Sequence, residues 1–344
     1  MDRADSEFAF ELRVCQWAER SWEPERADSA VLVARQLGTR RRRWDTVVIE
    51  CDPAGLRRRA AFGPEALDSD LLHVVRHAPA EWSYYRDALP DPGYPWRYVR
   101  EAIHAAADCD AVESRKRGNR IEIRRRHRYP DWARRIVAVE NKPDLSASAA
   151  RDLADQLERD VALGLADEVW VATASTDERV EPILLADLPS GAGVLTVDTD
   201  EGTAEAVWQP RSLDPSEPGT RVLDRPEDGR SAARFEYADP EWKAEKRRVI
   251  AERAYARGWR AYADTMRPDC RHFALERAES GVYPRCGAKE KTPTQSECRG
   301  GCPAFEPEPP AWRAEGWPIE GGPGSAIKRL LARRRRRRRP GLEE

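Results

Sequence analysis

Short β-branched runs punctuated by charge dominate the N-terminal part of this chain. Ser6–Val14 reads as a helix, and Val31–Leu37 and Arg43–Glu50 read as strands. Val137–Pro143 and Glu168–Thr173 read as two more strands, with a helix at about 146–163 between them. Ala192–Asp198 and Ala204–Trp208 flank Asp200-Glu-Gly202 as a hairpin that extends the sheet. Residues 211–238 are rich in Pro, Ser, Asp and Arg and read as a linker. A long charged helix follows over about 240–265, with Trp242, Val249, Ile250, Ala254, Tyr255, Trp259 and Tyr262 as its apolar side. The order of elements is that of an α/β protein.

About 95 residues separate Asp45 from Glu140, far more than a hairpin needs, so residues 65–126 form an insertion. Leu67, Leu71, Leu72, Val74 and Val75 give its first helix an apolar face. Trp82–Leu89 is a short second helix stopped by Pro90, and Pro95–Ala107 is a third. Ala111–Arg117 and Arg120–Arg126 surround Gly118-Asn119, a hairpin signal. Three helices and a basic hairpin resemble a winged helix-turn-helix. Arg97, Arg100 and His104 would then line the reading helix, and Arg115, Lys116, Arg117 and Arg120 the wing that contacts phosphates. The competing expectation is a protein-docking or plain helical subdomain.

The chemistry is concentrated at two strand ends. Residues two apart in a strand share a face, so Glu140 and Lys142 point the same way. Asp45 opens the other strand. Two carboxylates and a lysine meeting at a sheet edge can bind a divalent cation and polarise a water beside a phosphate. Arg40, Arg41, Arg42 and Arg43 immediately precede Asp45, placed to hold a backbone phosphate or to form a solvated turn.

Asp45, Glu140-x-Lys142 and the helix–strands–helix–strand order resemble the PD-(D/E)xK nuclease superfamily over about 1–60 and 130–210. The resemblance implies a restriction-endonuclease-like mixed sheet flanked by helices. It also implies that Asp45 and Glu140 bind Mg²⁺ or Mn²⁺, with the carbonyl of Asn141 as a further donor, and that Lys142 orients or activates water. Glu7 or Glu11 would be the first-helix glutamate, and Gln156 the glutamine of the following helix. Trp44 replaces the proline usually written before the aspartate. The overall pattern also resembles a haloarchaeal family of unknown function.

Composition adds bounds. There are 52 arginines against 7 lysines in 344 residues, which fits a GC-rich genome and a low-lysine, acid-rich proteome such as a halophile's. The net charge is −2; without the seven arginines and two glutamates of residues 333–344 it is −7. Acidity overall is compatible with nucleic-acid binding through local basic patches. The Arg-rich tail, 307–344, is expected to be disordered and to attach to nucleic acid in a salt-sensitive way. No apolar run reaches the roughly 20 residues of a membrane span, and no secretory leader is legible at Met1, so a cytoplasmic protein is expected.

Cys15, Cys51 and Cys109 sit in apolar contexts and read as buried hydrophobes. Cys270, Cys286, Cys298 and Cys302 cluster within the segment 239–306 and suggest a small metal module. Thiolates select structural Zn²⁺ or a [4Fe–4S] cluster; Cys15 is an outside candidate for the latter, and His272 a bystander. The sequence contains no P-loop, GxGxxG or GxSxG element, and His73 and His77 lack a metalloprotease frame. The combined expectation is a metal-dependent deoxyribonuclease, with a homodimer by analogy. Its alternative is a noncatalytic nucleic-acid-binding regulator.

Overall fold

The β-branched runs alternate between two apolar cores because both faces of their sheet are covered. Ile136 and Ala138 face one core and Val137 and Val139 the other. The computed structural model describes residues 7–40, 42–175, 187–224, 234–264, 266–268, 270–278, 281–294, 296–298 and 301–306. Arg41 and the tail 307–344 lie outside them. Helix α1 (Glu7–Ser21) leads into β1 (Ala30–Gly38) and β2 (Arg43–Cys51). After the insertion come β6 (Ala133–Asn141), α6 (Ala147–Leu163), β7 (Glu168–Ala174), β8 (Gly193–Asp198) and β9 (Thr203–Trp208). The strands form a six-stranded sheet in the order β1-β2-β6-β7-β8-β9. The pairs β6–β7 and β7–β8 are parallel and the others antiparallel. The architecture is thus a mixed α/β sheet flanked by helices.

Helix α1 covers one face through Phe8, Phe10, Leu12 and Val14. The other face is covered by α6 through Leu153 and Leu157, and by α7 (Pro240–Arg257) through Ile250, Ala254 and Tyr255. Each fully buried Leu, Ile or Val contributes about 1.5–3 kcal/mol. Caps fix the two helices. The Ser146 hydroxyl accepts from the Ala149 N–H, and Gly164 ends α6 in the left-handed region. The Asp239 carboxylate accepts from the Trp242 N–H with Pro240 at the first turn, and Gly258 stops α7 before the expected end near 265. Trp259 lies beyond that stop, in a 3-10 turn packed on the α1 core.

The segment expected to be a linker carries a β-hairpin, β10 (Gly219–Asp224) and β11 (Arg234–Ala238). Gly219 seats it against the end of α6, where a Cβ would collide with the Leu163 carbonyl. Part of the expected linker is therefore packed backbone, invisible in a Pro/Ser/Asp composition; its residues 225–233 lie outside the described residues.

The insertion has a core of its own. The excursion from the sheet is wider than residues 65–126: it begins with α2 (Pro53–Arg59), whose Leu56 packs into the main core, and continues with α3 (Ser69–His77), β3 (Ser83–Tyr84), α4 (Tyr85–Ala88), α5 (Trp96–Asp108), β4 (Val112–Arg117) and β5 (Arg120–Arg125). Its small sheet has the order β3-β5-β4. It leaves and rejoins the main sheet at one point: Cys51 pairs with Ala133, and the Asp52 N–H donates to the Trp132 carbonyl. A buried carboxylate on α7 fastens it. Glu252 accepts from Arg59, from the Leu67 N–H and from the Tyr129 hydroxyl, and both Arg59 and Glu252 are fully buried.

Candidate active site

Two neighbouring antiparallel strands bring Asp45 and Glu140 together across 95 residues of sequence. Thr46 pairs with Val139, so Asp45 at the start of β2 lies beside the end of β6. The Asn141 N–H donates to the Asp45 carboxylate at 3.0 Å. The pair sits at the ends of two inner strands and not at the sheet edge the sequence suggests, because β1 covers β2 and β7 covers β6. Glu140 is 5% exposed. Burial, and then the nearby charge of Asp45, push its carboxyl up to about 8, against the pull of Arg42.

Of the expected side chains, Gln156 bonds Glu140 directly, Glu11 reaches Asp45 through Gln36, and Lys142 feels the charge of both carboxylates while bonding Glu7. The Gln156 amide on α6 donates to Glu140 at 2.8 Å. The Lys142 ammonium donates to Glu7 at 2.7 Å, and this bond holds its pKa above the usual lysine range. Glu11 is buried and takes a bidentate pair from Arg35 at 2.8 and 2.9 Å; burial still raises its carboxyl. Glu7 therefore reaches the lysine, whereas Glu11 reaches the strands.

Three participants were not legible in the sequence. Gln36 donates to Asp45 at 2.9 Å and to Glu11 at 3.1 Å. It does so from φ 54, rare for a residue with a side chain, and the β1–β2 ladder skips it. Asp160, almost fully buried on α6, is the second participant. The third is the inward role of Arg42. Its Nη2 donates to Glu140 at 2.6 Å and to Asp160 at 2.7 Å, and Nε donates to both Asp160 oxygens. Burial works against the Arg42 charge, but the two carboxylates more than offset it. The arginine run is therefore split: Arg42 turns in, while Arg40 and Arg43 are exposed.

Among the described residues, no three His, Cys, Asp or Glu side chains stand in metal-ligating geometry. The donor set at the strand ends still suits a hard divalent cation. It offers two carboxylates and the Asn141 carbonyl, and Mg²⁺ characteristically takes one or two protein carboxylates and keeps several waters.

Two further predicted sites lie apart. On α5, Val99, Ala102, Ile103 and Ala106 are buried, and Arg97, Arg100 and His104 are exposed on the opposite side. The β4–β5 hairpin turns through Gly118 at φ 60, and Arg115, Lys116, Arg117 and Arg120 are all exposed on it. Arg115 also pairs with Glu122 at 2.7 Å and stacks on Trp82, and Arg120 lies over Tyr84.

The C-terminal segment forms a hairpin, β12 (Phe273–Ala278) and β13 (Gly281–Cys286). Cys270, Cys286, Cys298 and Cys302 line one cavity of about 20 Å³ beside it. The Arg267 N–H donates to the Cys298 sulfur at 3.4 Å. Burial raises the Cys298 thiol, and the other three cysteines add to the rise. Cys15 and Cys51 are fully buried and Cys109 partly so; Cys15 contacts Thr46 and does not line this cavity. His272 faces Glu306.

No helix among the described residues is long and apolar enough to cross a membrane. No curated protein matches the chain. A model described as a family of unknown function (DUF5787) matches residues 32–307, a span that holds Asp45, Glu140, Lys142, Gln156 and all four clustered cysteines but not α1, and the chain belongs to that family.

Proposed function

We propose that this protein is a metal-dependent nuclease of restriction-endonuclease-like fold that hydrolyses phosphodiester bonds in DNA. The observation that carries this reading is the meeting of Asp45, Glu140, Lys142 and Gln156 around two adjacent strand ends. Asp45, Glu140 and the Asn141 carbonyl would hold Mg²⁺ or Mn²⁺. When bound, the cation supplies Lewis-acid stabilisation of charge on the attacked phosphate. Asn141 and Gln36 fix the Asp45 carboxylate through one hydrogen bond to each oxygen. Gln156 orients Glu140. Lys142 is held protonated by Glu7, so its part is to orient water and offset phosphate charge, not to take a proton. Glu7 and Glu11 position Lys142 and the strand residues respectively.

The insertion would act as a winged helix that grips duplex DNA, α5 supplying Arg97 and Arg100 and the β4–β5 hairpin supplying the phosphate contacts. Its helix–strand–helix–helix–hairpin order supports this. The four cysteines would hold a structural metal. Four thiolates suit a single tetrahedral Zn²⁺, the alternative being a [4Fe–4S] cluster. Zinc should be found at one ion per chain by elemental analysis and be lost in Cys298→Ser.

The test of the main reading is cleavage of labelled single-stranded, duplex and branched DNA with Mg²⁺ or Mn²⁺, scanned to molar salt, beside Lys142→Ala. Cutting that needs the metal and vanishes in the variant is expected. A second reading, a noncatalytic nucleic-acid-binding regulator, is favoured by the Arg42 guanidinium, which already occupies an oxygen of Glu140 and pairs with Asp160. Binding without cutting by either protein, in any metal or salt, would select it.

A further inference from the structure

A cleft of about 860 Å³ opens directly beside the half-buried Arg42. Its walls are the β1–β2 turn, α6, β10 and α7. Seven arginine or lysine side chains line it against three aspartates. Among the described residues, none of Arg40, Arg43, Arg159 and Arg253 has a carboxylate within ion-pair distance. Arg253 is half-buried, and among the described residues its guanidinium donates to the Gly38 carbonyl at 3.0 Å. A desolvated cation without a counter-charge is unfavourable unless an anion joins it. Trp242 adds an aromatic face to the same wall, already stacked under Arg221. Cations with an interleaved aromatic are the furniture of a groove that tracks a nucleic-acid strand. None of these residues belongs to the insertion.

Arg42 belongs to both places. It lines the cleft, and it bridges Glu140 and Asp160. One Glu140 oxygen is therefore taken up by the guanidinium as long as the cleft holds no anion. A phosphate in the cleft competes for the same guanidinium, since arginine pairs with phosphate and carboxylate through the same forked geometry.

We propose that this cleft binds the backbone of a nucleic-acid strand, and that the strand's arrival draws Arg42 from Glu140, so that strand binding and cation binding at Asp45 and Glu140 reinforce each other. The inference rests on the cation site of the proposed function and adds to it a second site and the residue that couples the two. By linkage, the strand must raise cation affinity by the factor by which the cation raises strand affinity.

The test uses the full chain and a short single-stranded oligodeoxynucleotide with non-hydrolysable phosphorothioate linkages. Mn²⁺ affinity is measured by calorimetry with and without it, for the wild type and Arg42→Gln. In the wild type the oligonucleotide should tighten Mn²⁺ binding about tenfold, within the usual span of coupling between sites. In Arg42→Gln, Mn²⁺ should bind more tightly than to the free wild type, and the tightening by the strand should shrink to about twofold or less. Oligonucleotide anisotropy in the wild type with and without Mn²⁺ must return the same factor, a measurement that does not depend on the variant's folding. Mn²⁺ binding that the strand leaves unchanged overturns the coupling and leaves the cation site standing. Undiminished coupling in a folded Arg42→Gln protein overturns the role of Arg42. No Mn²⁺ binding under any condition overturns both this inference and the reading beneath it.

Discussion

Replacing Glu140 by Gln should make the metal-free protein more resistant to unfolding in alkaline solution, although it removes a candidate ligand. Burial and Asp45 together raise the Glu140 carboxyl from 4.5 to about 8. A group that holds its proton more tightly in the folded state lends stability that is present in full below about 4.5. That stability is lost as pH rises through about 8. At about 1.4 kcal/mol per pH unit the whole span is worth about 5 kcal/mol, of which about 4 falls between about pH 5 and about pH 9. Glutamine keeps the shape and does not titrate. Its amide oxygen accepts from Arg42 much as the protonated carboxyl does, and the pull of Arg42 on the ionised form is already part of the value of about 8. Urea unfolding of both proteins in a chelator, at the two pH values, reads the difference. The stability of Glu140→Gln relative to wild type should rise by about 4 kcal/mol from acid to alkaline solution. A relative stability flat to within about 1 kcal/mol would mean that Arg42 keeps Glu140 ionised throughout. It would refute the view that this site carries more acid than its cations neutralise.

Other consequences are as direct. Glu252→Ala leaves the fully buried Arg59 without its anion and should cost about 3–5 kcal/mol in urea unfolding; a loss below about 1 kcal/mol would show that the insertion is fastened elsewhere. Gly219→Ala forces the β10–β11 hairpin off the end of α6, so hydrogen exchange at residues 219–224 should accelerate while β6 and β7 stay protected; unchanged exchange at 219–224 would contradict the close approach. Arg97→Ala combined with Arg100→Ala should weaken duplex DNA binding and reduce the salt slope by about 2; an unaltered slope would mean that α5 does not meet phosphates.

The parts of the site that were legible in the sequence are those that local pattern decides. Glu140 lies at the end of one strand with Lys142 just past it, and Asp45 lies near the start of another, so their residue types and the strand period suffice to single them out. Gln156 was within reach only because its helix follows that strand. Asp160 was not. It is one of several acids on α6, with Asp152, Asp155 and Glu158, and only the packing of the helix decides which of them turns inward. Gln36 owes its part to a backbone angle that no side-chain pattern announces. The arginine run announced charge but not direction. The inward turn of Arg42 follows from where Asp160 and Glu140 lie, and those are 118 and 98 residues away. The β10–β11 hairpin hid for a similar reason: its anchor is a close approach of backbones, not a run of apolar side chains.

The insertion departs from Cys51 and returns at Ala133, residues that face each other across neighbouring strands. Paired antiparallel strands stand only about 5 Å apart, a gap that a tight turn can close. Cutting the insertion out would therefore ask of the sheet a new turn, and would unmake the contacts of Glu252 and the packing of Leu56 and Trp132 in the main core. Inheritance can treat such an appendage as a detachable part. A lineage could lose it, trade it or reshape its basic face while the strand ends that carry Asp45 and Glu140 stay in register, so the machinery that grips a target and the machinery that acts on it are free to diverge at different rates.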